Sequence, residues 1–305
     1  MQKRILVIGS NGFSGSAVVK RLAAAGRYDI TGCSLSPDRL GGTENYSFVQ
    51  ADIRNGKRLA ELFDAVRPHA VVNCAALSAT DYCETHREEA YAMNVVAAEN
   101  IARQCERHTS RLVHLSTDFV FDGKGDGLYT EEDTPAPVNY YGLTKLQSEQ
   151  AVAATCTDWA IARIEVVYGP VLEGQHGNIV RLTEQRLRAG LAMKVVSDQF
   201  RTPTWVGDVA QGVELLLSHR SNGLYHVCGR DLVSIADMAF MTADCLRLDR
   251  SLITVCTTEE MQESVPRPRR SGMSCRKAMQ ELGYAPRSLD EGIKMMFGLL
   301  PREGY

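Results

Sequence analysis

An α/β protein is what this sequence predicts: a doubly wound parallel sheet joined to a smaller α+β lobe. Short β-branched runs alternate with longer helical stretches through the first half of the chain, the pattern of a parallel sheet covered on both faces. A turn carrying three glycines joins the first such run to the first helical stretch. The alternation then stops after Val167, where Pro170, Gly174, Gly177, Gly190 and Pro203 interrupt the chain. A length of 305 residues accommodates two domains at roughly 100–200 residues each.

The elements follow in order. Residues 4–8 are a strand ended by Gly9, and residues 14–25 a helix stopped by Gly26. Strands at 29–34 and 48–52 precede a helix at 56–66, which Pro68 closes. A strand at 70–74 leads to a long helix over 87–107, then a strand at 112–117, a helix at 141–154 and a strand at 160–167. Beyond the break, residues 179–189 read as a helix, 223–229 as one more strand and 234–247 as a helix. A Pro/Arg-rich stretch at 265–270 and a terminal helix near 289–300 complete the chain. The first domain is expected over residues 1–168, with 204–230 returning to it, and the second lobe over 169–305.

Composition narrows the function. Hydrophobic residues make up 44% and charged residues 23%, which excludes a disordered or fibrous chain. Basic and acidic side chains number 34 and 37 with no basic stripe, so nucleic acid is not an expected partner. Only Ile5-Leu6-Val7-Ile8 precede Gly9, far short of the ~7–15 apolar residues of a signal-peptide core or the ~20 of a membrane span. A cytoplasmic protein without a membrane partner is the expectation. The nine cysteines form no Cys-x-x-Cys pair and read as reduced thiols. A homodimer is the base-rate expectation.

Four constellations carry chemistry. Gly9-Ser10-Asn11-Gly12-Phe13-Ser14-Gly15 lies between the first strand and first helix, where glycines let backbone N–H groups approach a pyrophosphate at the helix N-terminus. A plain strand-to-helix turn uses the same residues, but the strand before and helix after favour a dinucleotide. The second strand ends at Cys33-Ser34-Leu35-Ser36 without the carboxylate that binds an NAD ribose. Ser34 and Arg39 suit a 2′-phosphate instead, so NADP(H) is expected over NAD(H). Asp38 argues the other way, although Pro37 takes it out of the strand. Asp52 and Ile53 are candidates for the adenine rim, and a carboxylate capping the next turn is an equal reading of Asp52.

The third constellation is Tyr141-Gly142-Leu143-Thr144-Lys145, the only Tyr-x-x-x-Lys pair in the chain, with Thr117 ending the fifth strand. Positions i and i+4 share a helix face, so Lys145 is expected to lower the Tyr141 phenol from ~10 and make it a proton donor. A surface helix with Lys145 paired to Glu149 is the bland alternative. The fourth is Asn73-Cys74-Ala75-Ala76, whose small residues Cys74, Ala75 and Ala76 allow a flat cofactor close to the backbone, with Asn94 expected to hold a water that passes protons to Lys145. Helix-on-sheet packing also selects small residues there. The seven histidines have no metal-ligand spacing, and acidic residues 122–133 read as a solvated loop.

These motifs, with Ser116-Thr117-Asp118-Phe119-Val120-Phe121-Asp122-Gly123, Asp198-Gln199-Phe200-Arg201-Thr202-Pro203-Thr204 and Arg267-Pro268-Arg269-Arg270-Ser271, resemble the extended short-chain dehydrogenase/reductases. More narrowly, the chain is similar to the dTDP-4-dehydrorhamnose reductase group over nearly its whole length. The resemblance implies a Rossmann-type fold and NAD(P)H-dependent reduction of a 4-keto group on a nucleotide-linked deoxysugar. It implies that Thr117 binds the ketone oxygen, Tyr141 protonates it, Lys145 binds the nicotinamide ribose, and Arg201 and Arg267 contact substrate. Arg267 suits a diphosphate, which a guanidinium binds as a fork; a structural salt bridge is the alternative. Some members of the group use Mg2+, but no ligand set here matches one. The chain also resembles the regulatory beta subunit of methionine adenosyltransferase, which implies a nucleotide-binding partner protein. A sugar-nucleotide epimerase or dehydratase is a third reading, but Asp118 is followed by Phe119 where dehydratases carry a second acid.

Overall fold

The computed structural model describes residues 2–301 apart from 174, 176 and 220. Gly174 of the expected boundary, and the last four residues of the expected second lobe, lie outside the described residues. The first half runs β1 (Lys3–Ile8), α1 (Phe13–Ala24), β2 (Tyr28–Ser34), β3 (Tyr46–Gln50), α2 (Gly56–Val66), β4 (Ala70–Asn73), α3 (Thr80–Thr85), α4 (Arg87–Tyr91), α5 (Ala97–His108), β5 (Arg111–Thr117), α6 (Tyr140–Thr155) and β6 (Trp159–Ile164). The second half adds β7 (Val167–Tyr168), α7 (Ile179–Arg188), β8 (Met193–Val196), β9 (Phe200–Arg201), β10 (Thr204–Trp205), α8 (Val206–Ser218), β11 (Gly223–His226), β12 (Val233–Ser234), α9 (Ile235–Leu246), β13 (Ile253–Cys256), α10 (Thr258–Met261), α11 (Arg276–Leu282) and α12 (Leu289–Met296).

Seven strands form one parallel sheet in the order β11-β6-β5-β4-β1-β2-β3. Every residue of β4 and β5 is buried, which is why these strands lack polar alternation. Val18 and Leu22 of α1 and Val213 and Leu217 of α8 join one core. Leu62 and Phe63 of α2 and Ile101 of α5 join the other. The strand order reverses between β1 and β4, so the crevice for a ligand opens beyond their carboxyl ends. In the second lobe β8 and β13 pair in parallel, and α7 and α9 contribute to a small separate core with them.

Several elements differ from expectation: the strand expected over 223–229 is β11 and ends at His226, the helix expected near 289–300 ends at Met296, and β8, β9, β10, β12, β13, α10 and α11 are additional to the expected elements. β3 spans Tyr46–Gln50, so Ala51 and Asp52 have already left the sheet. The strand expected over 160–167 stops at Ile164, because Val166 adopts φ +35 and Val167 then pairs with Thr204 instead. The helix expected over 87–107 is α4, a π turn at Ala92–Val96 and α5, preceded by the unforeseen α3. Helix α8 was not foreseen either. Among the described residues, no helix is long and apolar enough to cross a membrane.

Candidate active site

The glycine loop is shaped by close backbone crossings. Gly9 sits at φ +80, and a Cβ there would lie 2.8 Å from Ala75 N, while a Cβ on Gly15 would lie 2.1 Å from Gly9 O. Larger residues would push the β1 and β4 ends apart. Helix α1 opens on Gly12 with no side-chain cap among the described residues, which leaves its first N–H groups for an anion. The loop therefore fits a dinucleotide pyrophosphate. A cavity of about 260 Å3 adjoins it, lined by Gly9, Gly12, Ser34, Asp52, Ile53 and Cys74–Ala76 among others.

Asn11 is not free to hold a ligand with its side chain. Its Nδ2 donates to Ser36 O, Ser36 Oγ and Pro37 O, and its Oδ1 accepts from Arg39 N, so it ties the glycine loop to the segment after β2. Ser34 Oγ accepts from Asn11 N at 3.0 Å and lies 3.5 Å from the buried Ser10 hydroxyl. Arg39 is exposed and is not among the residues lining the cavity. Asp52 lines it but is held by Arg54, whose Nε and Nη2 donate at 3.0 and 2.8 Å and pull the carboxyl below its usual range. Arg54, which also approaches Glu89 at 3.5 Å, is a lining residue the sequence reading does not include; its signal is a cation two residues beyond Asp52.

A second cavity of about 930 Å3 shares Gly12, Cys74 and Ala76 with the first. Phe13, Thr117, Asp118, Tyr141, Lys145 and Arg267 are among its lining residues. Strand β5 delivers Thr117, whose Oγ1 donates to Asp118 Oδ1 at 3.1 Å. Asn139 caps α6 by accepting from Gly142 N at 2.9 Å and so sets the start of the helix that carries Tyr141 and Lys145. A Cβ on Gly142 would lie 2.0 Å from Phe119 O, so only glycine lets α6 seat on the turn after β5. The Phe119 and Tyr141 rings meet edge to face at 5.8 Å.

Electrostatics correct the expectation for Tyr141. Burial pushes its phenol up, the Thr117 hydroxyl opposes this, and the Asp118 charge adds to it; Lys145 does not lower it. Lys145 Nζ instead donates to Leu115 O at 2.7 Å and lies 3.3 Å from His114 Nε2. Burial pushes its ammonium down to about 8. Glu149 does not take Lys145: it accepts from Arg163 at 2.9 and 2.7 Å. Burial raises the Cys74 thiol to about 12, so it is a neutral wall of the site.

The remaining expected site residues are Asn94, Arg201 and Arg267. Asn94 is buried, accepts from Leu77 N, and donates to Leu77 O and Thr144 Oγ1. Both of its amide N–H groups and one lone pair of Oδ1 are engaged by protein. Arg201 is 2% exposed, and donates to Phe200 O, Arg269 O and Pro268 O beside Asp118 and Glu165. It braces the lobe rather than facing the cavity. Arg267 does line the cavity and pairs with Asp81 at 3.3 Å and Glu263 at 3.2 Å. Ser78, Thr80, Gln199 and Glu263 also line it beyond the expected residues; Thr80 opens α3, a helix that the sequence pattern does not predict. Among the described residues, no three His, Cys, Asp or Glu side chains are grouped to hold a metal ion.

Fold and cavities together place the chain among the extended short-chain dehydrogenase/reductases, with the glycine-loop groove running into a cavity lined by Thr117, Tyr141 and Lys145. Within that class it belongs to the RmlD substrate binding domain family, whose model matches residues 3–300. It is 33% identical over 290 residues to a probable low-salt glycan biosynthesis reductase, Agl14, of Haloferax volcanii, covering 94% of this chain and 95% of that one. It is 30% identical over 298 residues to the mouse methionine adenosyltransferase 2 subunit beta, covering 96% and 86%. Among solved structures, the dTDP-4-dehydrorhamnose reductase of Bacillus anthracis in complex with NADP superposes with a TM-score of 0.87, at 26% identity, covering 98% of this chain and 100% of that one.

Proposed function

We propose that this protein is an NAD(P)H-dependent reductase that converts a 4-keto group on a nucleotide-linked deoxysugar to the alcohol, with NADP(H) preferred. The observation that carries the reading is the sharing of Gly12, Cys74 and Ala76 between the glycine-loop groove and the cavity lined by Thr117, Tyr141 and Lys145. A bound NAD(P)H supplies hydride. Thr117 binds the ketone oxygen by turning its one hydroxyl proton from Asp118 to it, and Tyr141, kept protonated by burial, delivers a proton to that oxygen as charge develops on it. Lys145 binds the nicotinamide ribose. Ser34, with no carboxylate at the end of β2, supports a 2′-phosphate, and the exposed Arg39 on the segment after β2 is the cation proposed to neutralise it. Arg267 offers its guanidinium to the substrate diphosphate. The nucleotide-sugar class draws its support from the family and from the NADP-bound relative.

The test mixes purified protein with NADPH or NADH and a panel of nucleotide 4-keto sugars and follows loss of reduced cofactor. Turnover is expected, with NADPH favoured, and Tyr141→Phe is expected to cut the rate by ~10²–10⁴ while cofactor still binds. The 30% identity to a methionine adenosyltransferase subunit favours one second reading, a nucleotide-binding regulatory protein. It prevails if wild type and Tyr141→Phe are equally inert and a methionine adenosyltransferase gains activity in the presence of this chain.

A further inference from the structure

Strand β5 and helix α6 share a buried polar chain that the reduction does not use directly. Ala75 N–H donates to Asn73 Oδ1 at 3.1 Å. A backbone N–H can only donate, so the Asn73 carboxamide is oriented with Nδ2 towards His114 Nδ1, 3.1 Å away. That amide nitrogen can also only donate, so Nδ1 accepts and the proton of the neutral ring sits on Nε2. Nε2 lies 3.0 Å from Ser148 Oγ, whose hydroxyl donates to the Lys145 carbonyl oxygen at 2.7 Å. It also lies 3.3 Å from Lys145 Nζ. His114 and Ser148 are both buried.

We propose that His114 is a positioning residue of the reductase site: a neutral imidazole, held as its Nε2–H tautomer by Asn73, that fixes Lys145 and favours its uncharged amine before cofactor arrives. With its one proton on Nε2 and given to Ser148 Oγ, the ring turns no lone pair towards Lys145 Nζ, so an ammonium gains no hydrogen bond from it. Burial and the Lys145 charge both hold the ring well below its ordinary pKa. The other groups facing Lys145 are the Cys74 thiol after β4, and Glu149 and Tyr141 on α6 itself; Glu149 is paired with Arg163 of β6. Glu149 and Cys74 favour the ammonium, and burial outweighs them. Only the use made of Lys145 rests on the reductase reading; the tautomer does not.

The test is a long-range 1H–15N spectrum of the imidazoles in the full chain from about pH 5.5 to 9, with His114 identified by loss of its signal in His114→Asn. A neutral Nε2–H pattern that does not move with pH is expected. An Nδ1–H pattern, or titration within that range, overturns the proposal. Asn73→Ala, with its fold checked by circular dichroism, is expected to show both tautomers; a pure Nε2–H pattern there overturns Asn73 as the holder. In a second measurement, NADPH binding by wild type is expected to weaken above the Lys145 transition, and His114→Asn to move that midpoint up by about one pH unit. An unmoved midpoint overturns the proposal. No NADPH binding by wild type overturns the cofactor reading, and the spectrum then decides the tautomer by itself.

Discussion

Burying the Lys145 ammonium penalises the fold, because a charge leaves water for a carbonyl and a neutral ring that carry none. The unfolded chain keeps this proton up to the ordinary lysine value of about 10.5, whereas burial lowers the folded value to about 8. The penalty is therefore full below the folded value and fades as pH rises towards the unfolded one, where both states are neutral. Lys145→Met, which keeps the length and removes the charge, is expected to stabilise the fold by about 1–3 kcal/mol at neutral pH and to weaken NADPH binding. The gain should shrink across the window between the two pKa values. Denaturant titrations of both proteins at several pH values check this, and a gain that ignores pH contradicts the cause given. The pairing of Tyr141 with Lys145 on one helix was legible from an i, i+4 spacing. Where Nζ would settle was not, because its partners Leu115 O and His114 come from another strand.

At the scale of elements, the π turn at Ala92–Val96 does what the sequence pattern of one long helix concealed. It lies between α4 and α5 with Asn94 buried within it, and Asn94 clasps Leu77 after β4 and Thr144 on α6. π turns inside helices are costly to form and persist where a neighbour requires them. Asn94→Ala is expected to destabilise the protein by about 2–4 kcal/mol, since it leaves the Leu77 amide without its partner and the Leu77 carbonyl with the Cys83 thiol alone. Hydrogen exchange at the Leu77 amide should accelerate while exchange in β1 follows only the global loss; an unchanged Leu77 amide would mean that the clasp is not what orders this loop. Apolar periodicity marks helices with one wet face, which is why α2 was read with its observed bounds. Helix α8 escaped for the opposite reason: most of its residues are buried between α1, the sheet and the second lobe, and Gly212 packs on Val227 where a Cβ would sit 2.4 Å from Cγ1. The strands of the main sheet were the more readable part, because a buried parallel strand is rich in apolar residues whatever covers it, whereas the short pairs β10–β7, β12–β9 and β13–β8 escaped.

At the scale of the molecule, the two lobes are knit by a buried cluster with more negative than positive charge. Asp118 follows β5, Glu165 follows β6 and Arg201 lies on β9, and all three side chains are at most 4% exposed. Ser271 also donates to Asp118, Thr202 to Glu165, and Arg201 reaches the carbonyls of Pro268 and Arg269. Burial raises both carboxyls, Asp118 raises Glu165 further, and Arg201 pulls both down. Arg201→Met removes the one cation, so both folded pKa values rise while the unfolded ones stay put. A carboxyl raised in the fold holds its proton after the unfolded chain has lost it, so stability falls as pH climbs from the unfolded value through the folded one. The variant should accordingly lose about 3–5 kcal/mol at neutral pH and visibly less at pH about 5, where protonation relieves the unpaired acids. Arg201→Lys should rescue little, because an ammonium cannot span three carbonyls and two carboxylates as a planar fork does. Thermal unfolding of both variants at the two pH values decides the matter. Equal losses at both would mean that Arg201 acts through packing and carbonyl bonds alone, and that the excess acid beside Thr117 is neutral already in the native protein.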